Sequence, residues 1–312
     1  MTTFHAGELA MQERVGMRER IAGAAEFIRP FMPQQHRDFF AGLPFFYLAA
    51  LDAGGQPWAT LLAAQAGFIS TPDEATLQID GGLLAGDPLE GLLQVGAHVG
   101  GLGLEPTTRR RNRLNGEIVQ RDQASLQIAV SQSFGNCPKY IQSRQHYPAQ
   151  RGAAAAQVLR ATALSAADRS LIAAADTYFI ASAHMADDAG QGRGVDMSHR
   201  GGRPGFVLVE DERTLLAPEF VGNFFFNTLG NLAKDARAGL LFIDFASGDL
   251  LHLAVEAEII WEGPQLQAFV GAERLLRFHV REVVRNVGAL PLRWSAPEQA
   301  RQLERTGSWP VA

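Results

Sequence analysis

Between residues 8 and 30 the apolar positions Leu9, Met11, Val15, Met17, Ile21, Ala24, Phe27 and Ile28 recur at roughly helical spacing, and Pro30 ends the pattern. A second short helix is predicted over 35–43, stopped before Pro44. The period then changes. Phe45–Leu51 is an apolar, aromatic run of strand length, and Asp52-Ala53-Gly54-Gly55 follows as a turn. Further strands are predicted at Ala59–Ala64, Gly67–Ser70, Thr76–Ile79, Val99–Leu104, Gly116–Val119 and Leu126–Ser131. Residues 149–170 are Ala-rich and read as helical, with Ser165 as a candidate N-cap. Strand patterning returns at Tyr178–Ala183, Phe206–Val209, Thr214–Ala217, Gly239–Phe245 and Leu250–Trp261. Residues 264–287 read as helical, from apolar positions that include Leu266, Phe269, Leu275, Leu276, Val280 and Val283.

The strands repeat. Phe45-Phe46-Tyr47-Leu48-Ala49 parallels Thr177-Tyr178-Phe179-Ile180-Ala181, and Gly67-Phe68-Ile69 parallels Gly205-Phe206-Val207. Asp73-Glu74-Ala75-Thr76-Leu77 then meets Asp211-Glu212-Arg213-Thr214-Leu215, Val99–Leu102 meets Ala238–Leu241, and Gly116-Glu117-Ile118 meets Ala257-Glu258-Ile259. The colinear order predicts a duplicated β-domain. The expected division is a helical N-terminal segment (1–35), a first β-domain (36–148), a helical linker (149–170) and a second β-domain with a helical insertion (171–312).

Composition narrows the class. Of 312 residues, 46% are hydrophobic and 20% charged, and the formal net charge is −5. That is the balance of a globular protein, with no global basic excess to recruit nucleic acid or an anionic membrane. No stretch reaches the roughly 20 apolar residues of a membrane-spanning helix. The first twenty residues lack the apolar run of a secretory signal, and Cys137 has no cysteine partner. A cytoplasmic location is the expectation. Metal-protease, paired-cysteine zinc, phosphate-binding-loop and dinucleotide-binding motifs are all missing.

Candidate chemistry concentrates in Asp196-Met197-Ser198-His199-Arg200-Gly201-Gly202-Arg203. Arginine forks and a serine hydroxyl suit a phosphate, and glycines let backbone come close to a ligand. The matching first-repeat positions are Thr60, Leu61 and Leu62, so only the second copy keeps the charges. A second candidate is Gly222–Leu232, where Asn223, Asn227, Thr228 and Asn231 surround a predicted helix start. A solvated turn and a plain N-cap are the bland readings of these two segments. A third is Ser131–Gln142, closing the first repeat, in which Asn136 and Lys139 are candidate polar groups facing the other domain and Pro138 is a candidate helix opener. Arg109, Arg111 and Arg113 share a face if their segment is a strand. They read either as a solvated strand end or, through Arg111 or Arg113, as part of a pocket.

These segments resemble the flavin-binding core of pyridoxamine-5′-phosphate-oxidase-related proteins. The likeness is carried by Asp196–Gly202 with Pro204–Val207, Asp211–Leu215, Gly222-Asn223, Asn227–Leu232 and Gly239–Phe242, together with Ser133–Gln142. It implies tandem split β-barrels that imitate the family dimer and hold one flavin mononucleotide (FMN) per chain. It places Ser198, His199 and Arg200 on the phosphate side, with Asn227, Thr228 and Asn231 beside it, and Gly201 is the candidate for close backbone approach to the cofactor. The chain departs from the common family pattern at His199, often proline, and near Asn223–Asn227, where arginines are frequent. The activity implied is a flavin-dependent oxidoreductase of unassigned substrate and catalytic residues, served by a separate reductase or a reduced nicotinamide. Pairing of two chains is a further possibility. The alternative readings are a non-catalytic flavin carrier, a deazaflavin in place of FMN, and a haem protein with His199 or His184 as axial ligand.

Overall fold

The computed structural model describes residues 3–122, 124–149 and 157–309. Seven strands, β1 (Phe45–Leu51), β2 (Pro57–Ala63), β3 (Ile69–Ser70), β4 (Thr76–Asp80), β5 (His98–Glu105), β6 (Arg110–Arg121) and β7 (Ser125–Asn136), form an antiparallel sheet ordered β2-β1-β5-β6-β7-β4-β3. Two short strands follow, β8 (His146–Pro148) and β9 (Gln157–Ala161). A second sheet is built from β10 (Thr177–His184), β11 (Gly194–Gly201), β12 (Leu208–Val209), β13 (Thr214–Glu219), β14 (Arg237–Ile243), β15 (Leu250–Ile260) and β16 (Arg274–Val287). Its order is β11-β10-β14-β15-β16-β13-β12, the first order with every strand replaced by its counterpart. In the second sheet β9 also pairs with β16, and a separate two-stranded sheet joins β8 to β17 (Leu292–Trp294).

Register carries the equivalence to single residues. Tyr47 lies opposite Leu61 and Leu102, and Phe179 lies opposite His199 and Leu241. The longest strand pair of each sheet is interrupted at the same place, between Asn115 and Gly116 and between Ala254 and Val255. That register equates Gly116 with Val255. Matching by sequence placed it on Ala257, two residues away. A two-residue slip keeps every side chain on its face, so patterning alone does not detect it.

In each repeat the strands curl round one apolar core, open between the second and third strands. Phe46, Leu48, Trp58, Leu77, Val99, Leu114 and Ile128 meet inside the first, and Tyr178, Ile180, Leu215, Leu240, Leu253 and Phe278 inside the second. The opposite faces of β1 and β10 meet each other through Phe45, Tyr47, Ala49, Phe179, Ala181 and Ala183. Both strands are thus buried on two faces, which is why they read as unbroken apolar runs. Glycines let the barrels touch. A Cβ on Gly100 of β5 would lie 2.5 Å from the Val195 carbonyl oxygen, and one on its counterpart Gly239 would lie 2.4 Å from that of Pro57.

The helices correct several expectations. The 8–30 segment is not continuous: α1 (Ala6–Arg14) ends before Gly16 at φ 67°, and α2 (Arg18–Ile21) passes into a 3-10 turn at Ala22–Phe27. Helix α3 (Gln34–Ala41) precedes β1, as α4 (Ala166–Ala174) precedes β10. Within the expected helical linker, 150–156 lie outside the described residues and 157–161 is the strand β9. Ser165 caps α4 in a capping box with Asp168. The expected helix over 264–287 is a short α6 (Pro264–Ala268), a Gly271 turn at φ 86° and the fourteen-residue strand β16. Its apolar spacing fits both periods, and pairing with β13 and β15 selects the strand.

Candidate functional site

An open-mouthed pocket of ≈ 870 Å³, its solvent-facing part included, lies where the two repeats meet. The first repeat contributes Arg111 and Arg113 from β6 and the segment Asn136–Tyr140 that follows β7. The second contributes His199, Arg200 and Gly201 at the end of β11, the loop from Pro218 into helix α5 (Asn227–Leu232), and Arg274 at the start of β16. Both walls therefore come from one chain.

The pocket lining is rich in cations. Arg111, Arg113, Lys139, Arg200 and Arg274 belong to it, against a single lining carboxylate, Glu219. Arg113 donates to Ser198 Oγ and, at 3.1 Å, to Asn227 Oδ1, and Asp196 lies 3.7 Å away. Burial pulls Arg113 down to about 10, partly opposed by Asp196, which leaves it a cation at neutral pH. Arg274 is 5% exposed, and its buried Nε has no hydrogen-bond partner. A buried guanidinium donor without an acceptor is costly, and an anionic ligand would supply one. Arg111 donates through Nε to the Cys137 carbonyl oxygen and through Nη1 to His199 Nδ1 at 3.0 Å. An arginine only donates, so His199 Nδ1 is the acceptor and the ring proton sits on Nε2. Burial, then Arg111 and Arg200, holds His199 well below the ordinary imidazole range, hence neutral.

The lining also carries four aromatic residues, Tyr140, Phe220, Phe224 and Phe226, and the Arg274 guanidinium lies over the Phe226 ring at 5.2 Å. Four described non-glycine residues have positive φ, and three of them, Tyr140 (64°), Phe224 (62°) and Phe226 (62°), are among these aromatics. Left-handed backbone at a bulky residue costs of order 1–3 kcal/mol and persists only where surrounding contacts enforce it.

Nine of the sequence-predicted residues line the pocket: Arg111, Asn136, Lys139, His199, Arg200, Gly201, Asn223, Asn227 and Thr228. Ser198 and Asn231 are buried behind the lining, where Ser198 meets Thr228 and Asn231 bonds Ser182 and Asp196. Several details differ from expectation. The Arg200 Nε is committed to Glu219, which is 6% exposed, so Arg200 lines the pocket as half of an ion pair. Gly201 serves chain packing, because a Cβ there would lie 1.9 Å from the Tyr140 carbonyl oxygen. The N-cap of α5 is Phe226 with no side-chain cap, and Asn227 instead faces Glu8 and Arg113. Pro138 opens no helix and lies in an irregular segment.

Sequence reasoning missed Arg274, because its strand was read as helix, and it missed the aromatics Tyr140, Phe224 and Phe226, whose backbone conformations carry no composition signal. Arg113 stood only as an alternative to a solvated strand end.

The equivalent location in the first repeat is chemically different. Leu62, at the Arg200 position, belongs to the core, and register places Leu250 and His252 where the other copy has Arg111 and Arg113. Thr60, at the Ser198 position, donates to the buried carboxylate of Asp87. Asn286, the counterpart of Asn136, donates to the Ala85 carbonyl oxygen. The first copy thus has leucines and a buried histidine at the positions of Arg200, Arg111 and Arg113, with a carboxylate, Asp87, beside Thr60.

No protein-family model matches the chain, and no curated protein matches its sequence. Solved structures resemble parts of it. HupZ of Group A Streptococcus is 16% identical, covers 38% of this chain and 90% of its own, and has a TM-score of 0.29. An FAD-binding protein from Mesorhizobium loti is 13% identical over 42% of this chain and 98% of its own, at 0.27. An FMN-binding protein from Syntrophomonas wolfei is 16% identical over 38% and 82%, also at 0.27. Scores of this size are likeness only. By its own strand order, register and paired cores, the chain is mainly β and folds as two tandem split β-barrels.

Proposed function

We propose that the pocket between the barrels binds one flavin mononucleotide per chain, and that the protein is an FMN-dependent oxidoreductase. The observation that carries this reading is the concentration of five cationic and four aromatic side chains, with the Arg274 Nε that has no hydrogen-bond partner among the described residues, in one pocket built from both repeats. A phosphate suits Arg113, Arg274, Lys139 and the hydroxyl of Thr228, and a planar ring system suits the aromatic side chains. Asn136, Arg111, His199, Arg200, Gly201, Asn223 and Asn227 complete the lining, with Ser198 and Asn231 holding it from behind. Bound flavin would supply the electron chemistry, while these residues bind it, orient it and limit water access. The electron donor is then a reduced nicotinamide or a separate reductase. A deazaflavin fits the same groups. A second copy of the chain is not required to complete the site.

The first repeat argues for one ligand, because its matching location has Leu62, Leu250 and His252 where the other has Arg200, Arg111 and Arg113. The pocket does not favour haem. His199 presents a protonated Nε2 while Arg111 occupies Nδ1, and His184 does not line the pocket.

Reconstitution with FMN tests the reading. Purified protein should take up one equivalent, turn yellow and quench flavin fluorescence. The spectrum separates flavin from deazaflavin, and turnover of a nicotinamide separates an enzyme from a carrier. Protein that neither colours nor quenches would end the proposal.

A further inference from the structure

Helix α1 is not an appendage. A Cβ on Gly7 would lie 2.2 Å from the Gly230 carbonyl oxygen, and one on Gly230 would lie 2.6 Å from Glu8, so α1 and α5 cross in backbone contact. Glu8 is 3% exposed. Its Oε2 accepts from the His5 amide at 2.8 Å, closing a capping box, and its Oε1 accepts from Asn227 Nδ2 at 2.5 Å. Asn227 Oδ1 accepts from Arg113 in turn. Gln12 donates to the Phe225 carbonyl oxygen, and His5 Nε2 meets Asn231 Oδ1 at 2.9 Å. Farther along, Arg14 lies over the Trp261 ring at 4.2 Å, and the guanidinium of Arg274 is 5.0 Å from that same ring. Every one of these contacts falls on the left-handed loop, on α5, or on a side chain next to Arg274.

We infer that α1 completes the pocket, and that Glu8 is a positioning residue that holds Asn227 against Arg113 on the ligand side. The inference rests on reading this pocket as the ligand site. Glu8 touches no ligand; it fixes the residue that lines the pocket and helps hold Phe224–Asn227 in its strained path. Burial first, then Asp196, pushes the Glu8 carboxyl up to about 8, and the His5 and Asn227 donors on its two oxygens oppose that rise. Because docking of α1 and ordering of the loop share these contacts, ligand binding and helix docking strengthen each other.

The test uses the full chain, with FMN as the probe, and reads hydrogen exchange and affinity separately. Without ligand, Glu8→Ala should speed exchange of the amides in 224–232 by tenfold or more while leaving β1, β5 and β6 unchanged. Glu8→Gln should produce part of that effect, because an amide satisfies only one of the two facing donors. Combining Glu8→Gln with Asn227→Asp exchanges donor and acceptor across the contact and should restore protection to within threefold of wild type. With FMN, wild-type α1 should exchange at least tenfold more slowly than without it, and Glu8→Ala should weaken FMN binding by tenfold or more. Exchange in 224–232 within twofold of wild type in Glu8→Ala overturns the inference. If Glu8→Ala does not fold, Glu8→Gln and its pairing with Asn227→Asp decide instead: exchange in 224–232 within twofold of wild type in Glu8→Gln, or no recovery in the pair, overturns it. Failure of wild type to bind FMN removes the proposed function, and ligand-free exchange still decides the role of Glu8.

Discussion

Tyr47 and Phe179 hold the same position in the two repeats and stack on each other, with ring centroids 3.8 Å apart and planes 20° from parallel. A residue that packs against its own counterpart marks an isologous contact, the kind a two-fold axis makes between subunits. Here the axis lies within one chain. Any site built across the join is therefore offered twice by the backbone, and side chains decide which copy survives.

The stack should support the join. Tyr47→Ala and Phe179→Ala are each expected to cost about 3–5 kcal/mol, because both rings are fully buried. The double variant should lose less than the two single losses combined, by roughly 0.5–1.5 kcal/mol for the ring pair. Urea unfolding of the four proteins measures this, and strict additivity would show that the two rings do not interact.

The sequence points to Arg200 as a phosphate contact, and its ion pair changes the expected outcome of removing it. Arg200→Ala leaves Glu219 buried without its cation and is expected to destabilise the protein by about 3–5 kcal/mol. Arg200→Met combined with Glu219→Leu should recover most of that loss. A single variant as stable as wild type in thermal unfolding contradicts the ion pair.

Arg274 is the second probe of ligand charge, because its Nε has no hydrogen-bond partner among the described residues, while its Nη2 lies 3.5 Å from Glu273. Arg274→Gln should weaken FMN binding by roughly 10- to 100-fold, the size of a charge-assisted contact of about 1.5–3 kcal/mol. Fluorescence titration reads it. Unchanged affinity would move the phosphate elsewhere in the pocket.

Leu62 occupies the first-repeat position that corresponds to Arg200, and it is 1% exposed in the core. Leu62→Ala should cost about 2–5 kcal/mol. FMN affinity per folded molecule should stay at the wild-type value. A loss of affinity without a loss of stability would place a ligand in the first copy.

Buried imidazoles set the acid limb of stability. Burial, then His184, lowers His5 to about 4; burial, then Arg110 and Arg29, lowers His36 to about 4. An unfolded imidazole titrates near pH ~6.5. Below that the unfolded chain binds protons the folded chain refuses, so the contribution is complete above ~6.5 and is lost as pH falls towards 4. Glu8 works in the opposite sense, since its raised carboxyl favours the folded state at low pH and gives up that advantage as pH rises towards about 8. The expected observation is therefore comparative: between pH 7 and pH 5 the urea midpoint of His36→Gln should fall less than that of wild type. Equal falls would mean that His36 is protonated in the folded state too.

The chain by itself determined that there are two copies. Aromatic runs such as Phe45–Leu51, the glycines Gly100 and Gly239, and the order of the matched segments all follow from local composition, because strand alternation and turn chemistry act over a few residues. It also showed where chemistry concentrates, since Ser198-His199-Arg200 stands out against Thr60-Leu61-Leu62 without any coordinates. Tertiary structure decided the rest. The apolar spacing of residues 274–287 suits either a helix or a strand, and only pairing with two neighbours makes it β16 and brings Arg274 to the pocket. The register that equates Gly116 with Val255 is likewise set by hydrogen bonds to other strands. Commitment of Arg200 to Glu219, of Asn227 to Glu8, and of His199 to Arg111 joins residues 19, 219 and 88 positions apart. Such partnerships are properties of the packed chain, because no local pattern encodes which distant side chain will meet a buried charge.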